Sequence, residues 1–339
     1  MIRPVLAACA LLALPLAASA QKPKPEVNDP VNPAEKRIAL DKESVVLDPV
    51  KHANLAVFPV ISTAKAGRET NYLVLDEGME KHLVQVVEKG EGGDVNHLEL
   101  RNTSDRPLFL MAGEVVIGGK QDRIIGKNTV VAPKTTEQVP VFCVEHGRWN
   151  GRKAEFSSAQ ALAHTELRKK ASFKDQGEVW KEVAAKNAKR KLTNDTDTYR
   201  GVTQDHSVVK SIASYDKAIR GGLSSVPEKE QMIGFVVALD GKVVAIETFG
   251  SPSLFRKFQD KLLRSYFVEA VDHTYDPAKP AAAPAAADIT GFSQKAARAR
   301  RSVVIDKKSG KTVQFDEKDV QGSEVEGEDG KPVYRGAYE

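Results

Sequence analysis

The stretch "QMIGFVVALDGKVVAIETFG" (residues 231–250) decides how the rest of the chain is read. Asp240-Gly241 stands between two runs rich in β-branched and aromatic residues. A two-residue Asp-Gly turn matches the right-handed twist of paired strands, so the spacing predicts a β-hairpin. Directly after it, Ser251 caps a helix with Pro252 in its first turn. Leu254, Phe258, Leu262, Tyr266 and Phe267 mark the buried stripe of that helix. A hairpin laid against an amphipathic helix over about 231–273 is the kernel of an α+β fold.

Before the kernel, composition separates two regions. "NLAVFPVIS" (54–62), "HLVQVVEKG" (82–90), "NHLELRN" (96–102), "LFLMA" (108–112), "TVVAP" (129–133) and "VPVFCVE" (139–145) read as strands between turn clusters, with a short helix over 76–82. Helical spacing follows in "SSAQALAHTELRKKA" (157–171), in "DQGEVWKEVAAKNAKRKL" (175–192) and in 206–222. Asp175 and Glu178 stand at capping-box distance. The expectation is an antiparallel sheet from the N-terminal half with helices packed on one side, in a globular body over 44–274. "DPAKPAAAPAAAD" (276–288) reads as a Pro/Ala linker within 275–289, and 290–339 as a polar tail. In that tail "SEVEGEDGKPVYRGAY" (323–338) echoes the kernel, with Asp329-Gly330 turning a second, short hairpin.

The N-terminus carries an address. "MIRPVLAACALLALPLAASA" (1–20) has a cation at Arg3, an apolar centre and a small-residue site ending at Ala20, the pattern of an export signal. Its apolar run is too short to span a bilayer, and no later run is apolar enough. A periplasmic or secreted protein is therefore expected, with residues 21–43 forming an extended polar arm. "LAAC" (6–9) resembles a lipoprotein box, but the apolar run continues past Cys9 instead of preceding it. Once Cys9 is removed, Cys143 has no partner for an intramolecular disulfide, and burial in "VPVFCVE" suits it best. The formal net charge is only +4, one unit of it on Arg3, which gives no global pull toward nucleic acid or anionic lipid.

Two segments carry candidate chemistry. In "GEVVIGGKQDRIIG" (113–126), a two-residue Gly118-Gly119 turn would set Glu114 opposite Arg123 and Val116 opposite Gln121. Glu114, Gln121 and Arg123 would then share one face: an acid, an amide and a guanidinium able to grip a small polar or anionic ligand. The plainer alternative is a cross-strand Glu–Arg pair on a solvated sheet, contributing a few tenths to about 1 kcal/mol. In "VPVFCVEHGRWNG" (139–151), Glu145, Arg148 and Trp149 follow a strand end; Arg148 and Trp149 would clamp a flat or anionic ligand, or Trp149 would simply cover the core.

Other signals fall short. Gly113–Lys120 lacks the Gly-Lys-Ser/Thr ending of a phosphate loop, and "NDTDT" (194–198) lacks the glycine and glutamate of a calcium loop. His164-Thr165-Glu166 has no second ligand pair, so no metal is expected, nor any other cofactor. The basic runs read as solvated helix faces.

Together "GEVVIGGKQDR", "VPVFCVEHGRW", "IGFVVALDGKVVAIETFGSP" and "KLLRSYFVEA" resemble the ARG and rhodanese-phosphatase-superfamily-associated protein domain over about residues 50–275. The resemblance implies Glu114, Gln121, Arg123, Cys143, Glu145, Arg148 and Trp149 as motif positions. It implies no established activity; the family takes its name from genomic company with ADP-ribosylglycohydrolases and rhodanese-like phosphatases. The leading expectation is a ligand-binding module built on Glu114, Gln121, Arg123, Arg148 and Trp149. One alternative is a hydrolase with Glu114 and Glu145 as acid and base. Another is a structural envelope protein contacting a protein partner through its tail.

Overall fold

The computed structural model describes residues 37–64, 71–90, 94–149, 155–192, 195–273 and 282–339. The export signal, residues 21–36 of the expected polar arm and part of the Pro/Ala linker lie outside them; the described end of that arm contains the short strand Ile38–Ala39. The predicted hairpin forms between Met232–Leu239 and Lys242–Phe249, with Leu239 opposite Lys242. Asp240 and Gly241 both take positive φ, +49° and +81°, as that two-residue turn requires. Ser251 accepts a hydrogen bond from the Leu254 N–H at 3.2 Å and caps the helix Pro252–Ala270.

This hairpin is the middle of a ten-stranded sheet. On one side Met232–Leu239 pairs with Leu55–Ser62 and, through it, with Ser44–Val46 and Ile38–Ala39; Val50–His52 also pairs with Leu55–Ser62. On the other side Lys242–Phe249 pairs with Pro332–Tyr338, followed by Val320–Gly327, Gly310–Glu317 and Arg301–Lys307. All these pairings are antiparallel, which fits the expected α+β class. The tail, however, is no polar appendage. It is a four-stranded meander continuing the central sheet, and its hairpin at Asp329-Gly330 lies beside the one it echoes. Tyr334, Tyr338 and Val325 are buried on one face of this meander and Phe315 on the other, because side chains that look isolated in a polar sequence alternate between the faces of a strand.

Both faces of the sheet are covered. Against one pack helices Thr165–Phe173, His206–Ser224 and Pro252–Ala270, around Phe235, Val237, Phe249, Phe258 and Phe267, while Gln176–Lys189 packs on Thr165–Phe173 and on the strand Thr135–Cys143 of the second sheet. Against the other packs a helix that the expected linker and tail did not contain, Ala286–Arg298, through Ile289 and Phe292 onto Val236, Ile246 and Phe315. Among the described residues no helix is long and apolar enough to cross a membrane.

A second, six-stranded sheet runs in the order Phe156–Leu162, Glu114–Gly118, Arg123–Ile125, Thr135–Cys143, His97–Asn102 and Val84–Glu88. A bridge between Val87 and Glu155 brings the last strand back to the first, so the sheet closes on itself around Val84, Val86, Leu98, Leu100, Val116, Val139, Val141 and Phe156. Three short strands, Leu73–Val74, Leu108–Leu110 and Thr129–Val131, add to this core. The expected helix over 157–171 is only half helical. Its first half pairs with Glu114–Gly118 and completes the barrel, since tertiary pairing outweighs the weak helix preference of "SSAQAL".

Candidate functional site

The bend after Glu114–Gly118 is longer than a two-residue turn. Arg123 lies opposite Val116, not Glu114, so the ladder slips by two residues relative to the sequence-based register. An even slip keeps the parity of the faces, and Arg123 still points inward with Val116 and its cross-strand neighbour Cys143. Gly118 (φ +126°) and Gly119 (φ +49°) carry the chain round.

Long-range partners shape this bend. The Asp122 carboxylate, 1% exposed, accepts from the Gly118 N–H at 3.0 Å, from Arg200 Nη2 at 3.0 Å and from Thr198 Oγ1 at 3.1 Å. Arg148 donates to the Gly119 carbonyl at 2.8 Å and to the Gly118 carbonyl at 3.2 Å, while pairing with Glu145 at 2.6 Å. Glu145 also accepts from the Asp122 N–H at 3.0 Å and from Thr196 Oγ1 at 2.7 Å. Burial alone would raise the Glu145 carboxyl, but Arg148, Thr196 and the Asp122 N–H outweigh it and hold the pKa below the usual carboxylate range. The two sequence segments therefore do meet. Glu145 and Arg148 serve there as braces of the bend.

Glu114 does not join them. Its carboxylate accepts from the Met111 N–H at 2.8 Å and from Lys261 Nζ at 2.6 Å, and Lys261 also pairs with Asp76 at 2.7 Å. Burial pushes the Glu114 carboxyl up against the pull of Lys261. Among the described residues Glu114 and Glu145 share no hydrogen-bond or ion-pair partner. His164 is a satisfied core residue, its ring nitrogens 2.7 Å from Tyr199 Oη and 3.0 Å from Glu182.

What faces Arg123 is instead Glu88, a residue that sequence reasoning missed. The signal was its phase: in "VQVVE" the buried positions are Val84, Val86 and Glu88, so a carboxylate occupies an inward position. Glu88 Oε1 accepts the Lys120 N–H at 2.7 Å and lies 3.9 Å from Arg123 Nη2. A Cβ on Gly119 would stand 2.7 Å from that same oxygen, so the glycine is what admits Glu88 to the bend.

Arg123 is 0% exposed. Its Nη1 donates to the Gln121 carbonyl at 2.9 Å and to Gln121 Oε1 at 3.4 Å, and Gln121 Nε2 reaches the His146 carbonyl at 3.3 Å. Arg123 Nε and Nη2, together with Glu88 Oε2, are buried and make no hydrogen bond among the described residues. The Trp149 ring, 49% exposed, lies beside Arg123 and Lys120, with Arg123 Cζ 5.8 Å and Lys120 Nζ 5.4 Å from its centroid. Cys143, at 1% exposure, is the expected packing residue, and burial raises its thiol pKa.

The family model of the ARG and Rhodanese-Phosphatase-superfamily-associated Protein domain matches residues 43–337. The chain belongs to that family. The match spans the barrel, the kernel hairpin and the C-terminal meander alike, so the family domain includes the tail strands together with the body. No curated protein and no solved structure matches the chain.

Proposed function

We propose that this member of the family is a ligand-binding module whose site is the mouth of the six-stranded barrel, and that its ligand carries an anionic group. One observation carries the reading: a wholly buried guanidinium with its Nε/Nη2 edge left without hydrogen bonds. That edge presents two parallel N–H donors, the fork that takes the two oxygens of a carboxylate or phosphate. Leaving charged donors buried without hydrogen bonds costs more than the roughly 1–3 kcal/mol of a neutral group, which favours a role in binding. Gln121 orients the fork, Arg148 and Glu145 fix the bend that carries it, and Trp149 is the half-exposed aromatic contact. The export-signal pattern of residues 1–20 supports a site of action outside the cytoplasm, which fractionation of the tagged full-length chain tests.

Titration with acetate and inorganic phosphate, followed by tryptophan fluorescence and calorimetry, tests the site. Saturable binding is expected in the wild type and its loss in Arg123→Met, with the circular dichroism spectrum unchanged. Trp149→Ala, altering a half-exposed ring, should weaken binding without affecting folding. Wild-type affinity in both variants would overturn the assignment.

A further inference from the structure

Glu88 narrows the ligand class, on the premise that Arg123 binds an anionic group. The free fork of Arg123 asks for two acceptor oxygens, and the free Oε2 of Glu88 beside it asks for a donor. We infer that the barrel mouth recognises the zwitterionic head of a free α-amino acid, its carboxylate on Arg123 and its ammonium on Glu88.

Charge decides between candidates with similar shape. Arg123 and Glu88 are one cation and one anion, with side-chain exposures of 0% and 4%. A simple carboxylate or a phosphate monoester would add net negative charge to a pair already balanced, in a place where unpaired charge is costly. It would also offer nothing cationic to Glu88. An α-hydroxy acid brings a donor but leaves the same excess anion. A zwitterion adds no net charge, satisfies both free edges with charge-assisted bonds, and carries its cation one carbon from its carboxylate, matching the adjacency of Arg123 and Glu88. Its side chain then projects toward Trp149, the aromatic surface at the mouth.

The experiment is calorimetric titration of the folded chain with each standard L-α-amino acid, beside acetate and inorganic phosphate at matched ionic strength. At least one amino acid should bind at least tenfold more tightly than acetate. Its N-acetyl derivative, which has lost the ammonium, should fall to the acetate level. Glu88→Gln should erase the preference for the free amino group while retaining carboxylate binding, and Arg123→Met should abolish both. Acetate or phosphate binding as well as every amino acid would overturn the zwitterion and leave the anion site standing. Absence of binding by any of these probes would overturn both, and the free edges would then belong to buried water.

Discussion

Glu247 offers the most demanding test of how this fold is held. Its carboxylate is fully buried and accepts from Arg168 Nη1 at 3.2 Å and Nη2 at 2.5 Å, from Tyr334 Oη at 2.5 Å, from Tyr338 Oη at 2.6 Å and from Tyr266 Oη. These donors come from the helix Thr165–Phe173, the helix Pro252–Ala270 and the last strand of the tail, so one side chain in the kernel hairpin joins three separate segments. Burial alone would raise the Glu247 carboxyl, but Arg168 and the tyrosines hold it below the usual range. Glu247→Gln preserves volume, so no cavity term enters. The variant strands the Arg168 charge and turns an amide toward hydroxyl donors. Breaking a buried pair on one side costs about 3–5 kcal/mol. Tyr334→Phe, which removes one hydrogen bond to a charged group, should cost about 1.5–3 kcal/mol. Arg168→Met combined with Glu247→Leu removes both charges and should be much less destabilising than the sum of the single changes. Urea denaturation of Glu247→Gln, Tyr334→Phe, Arg168→Met, Glu247→Leu and the double variant gives these values. A cost under about 1 kcal/mol for Glu247→Gln, or strict additivity in the double variant, would refute the reasoning.

Truncation after residue 289 should leave an aggregating or unfolded product on size-exclusion chromatography, since it uncovers the Lys242–Phe249 edge and removes Tyr334 and Tyr338 from Glu247. Gly119→Ala should destabilise by about 1–3 kcal/mol in chemical denaturation, because the new Cβ would sit 2.2 Å from the Phe156 ring at a left-handed φ. Glu77 supplies a pH test: against the upward push of burial, Lys257, Arg106 and Lys81 lower its pKa from 4.5 to about 2. A depressed carboxyl stabilises the fold above its unfolded pKa and loses that contribution as pH falls through the folded one. The stability gap between the wild type and Glu77→Gln should therefore be constant above about pH 5 and close between pH 4.5 and 2.

Local signals carried the sequence reading far where the physics is local. Asp240-Gly241 specifies its turn because only small or turn-adapted residues tolerate two successive positive φ values. Ser251 and Asp175 cap the helices that their spacing announces. The half-helical stretch 157–171 and the tail were misread because their decisive partners lie far along the chain: Phe156–Leu162 is a strand only beside Glu114–Gly118, and Pro332–Tyr338 only beside Lys242–Phe249.

The candidate site divides in the same way. Arg123, Gln121 and Trp149 could be singled out from composition and order, and an even register slip left the inward face of Arg123 intact. Only the docking of the helix Pro252–Ala270 gave Glu114 to Lys261, and only the folding of the barrel brought Glu88 to Arg123 across 35 residues of chain. Side-chain periodicity states which way a residue points, and so determines which residues are buried. Which buried charge meets which depends on the register of several strands at once, and that is settled by packing the whole core.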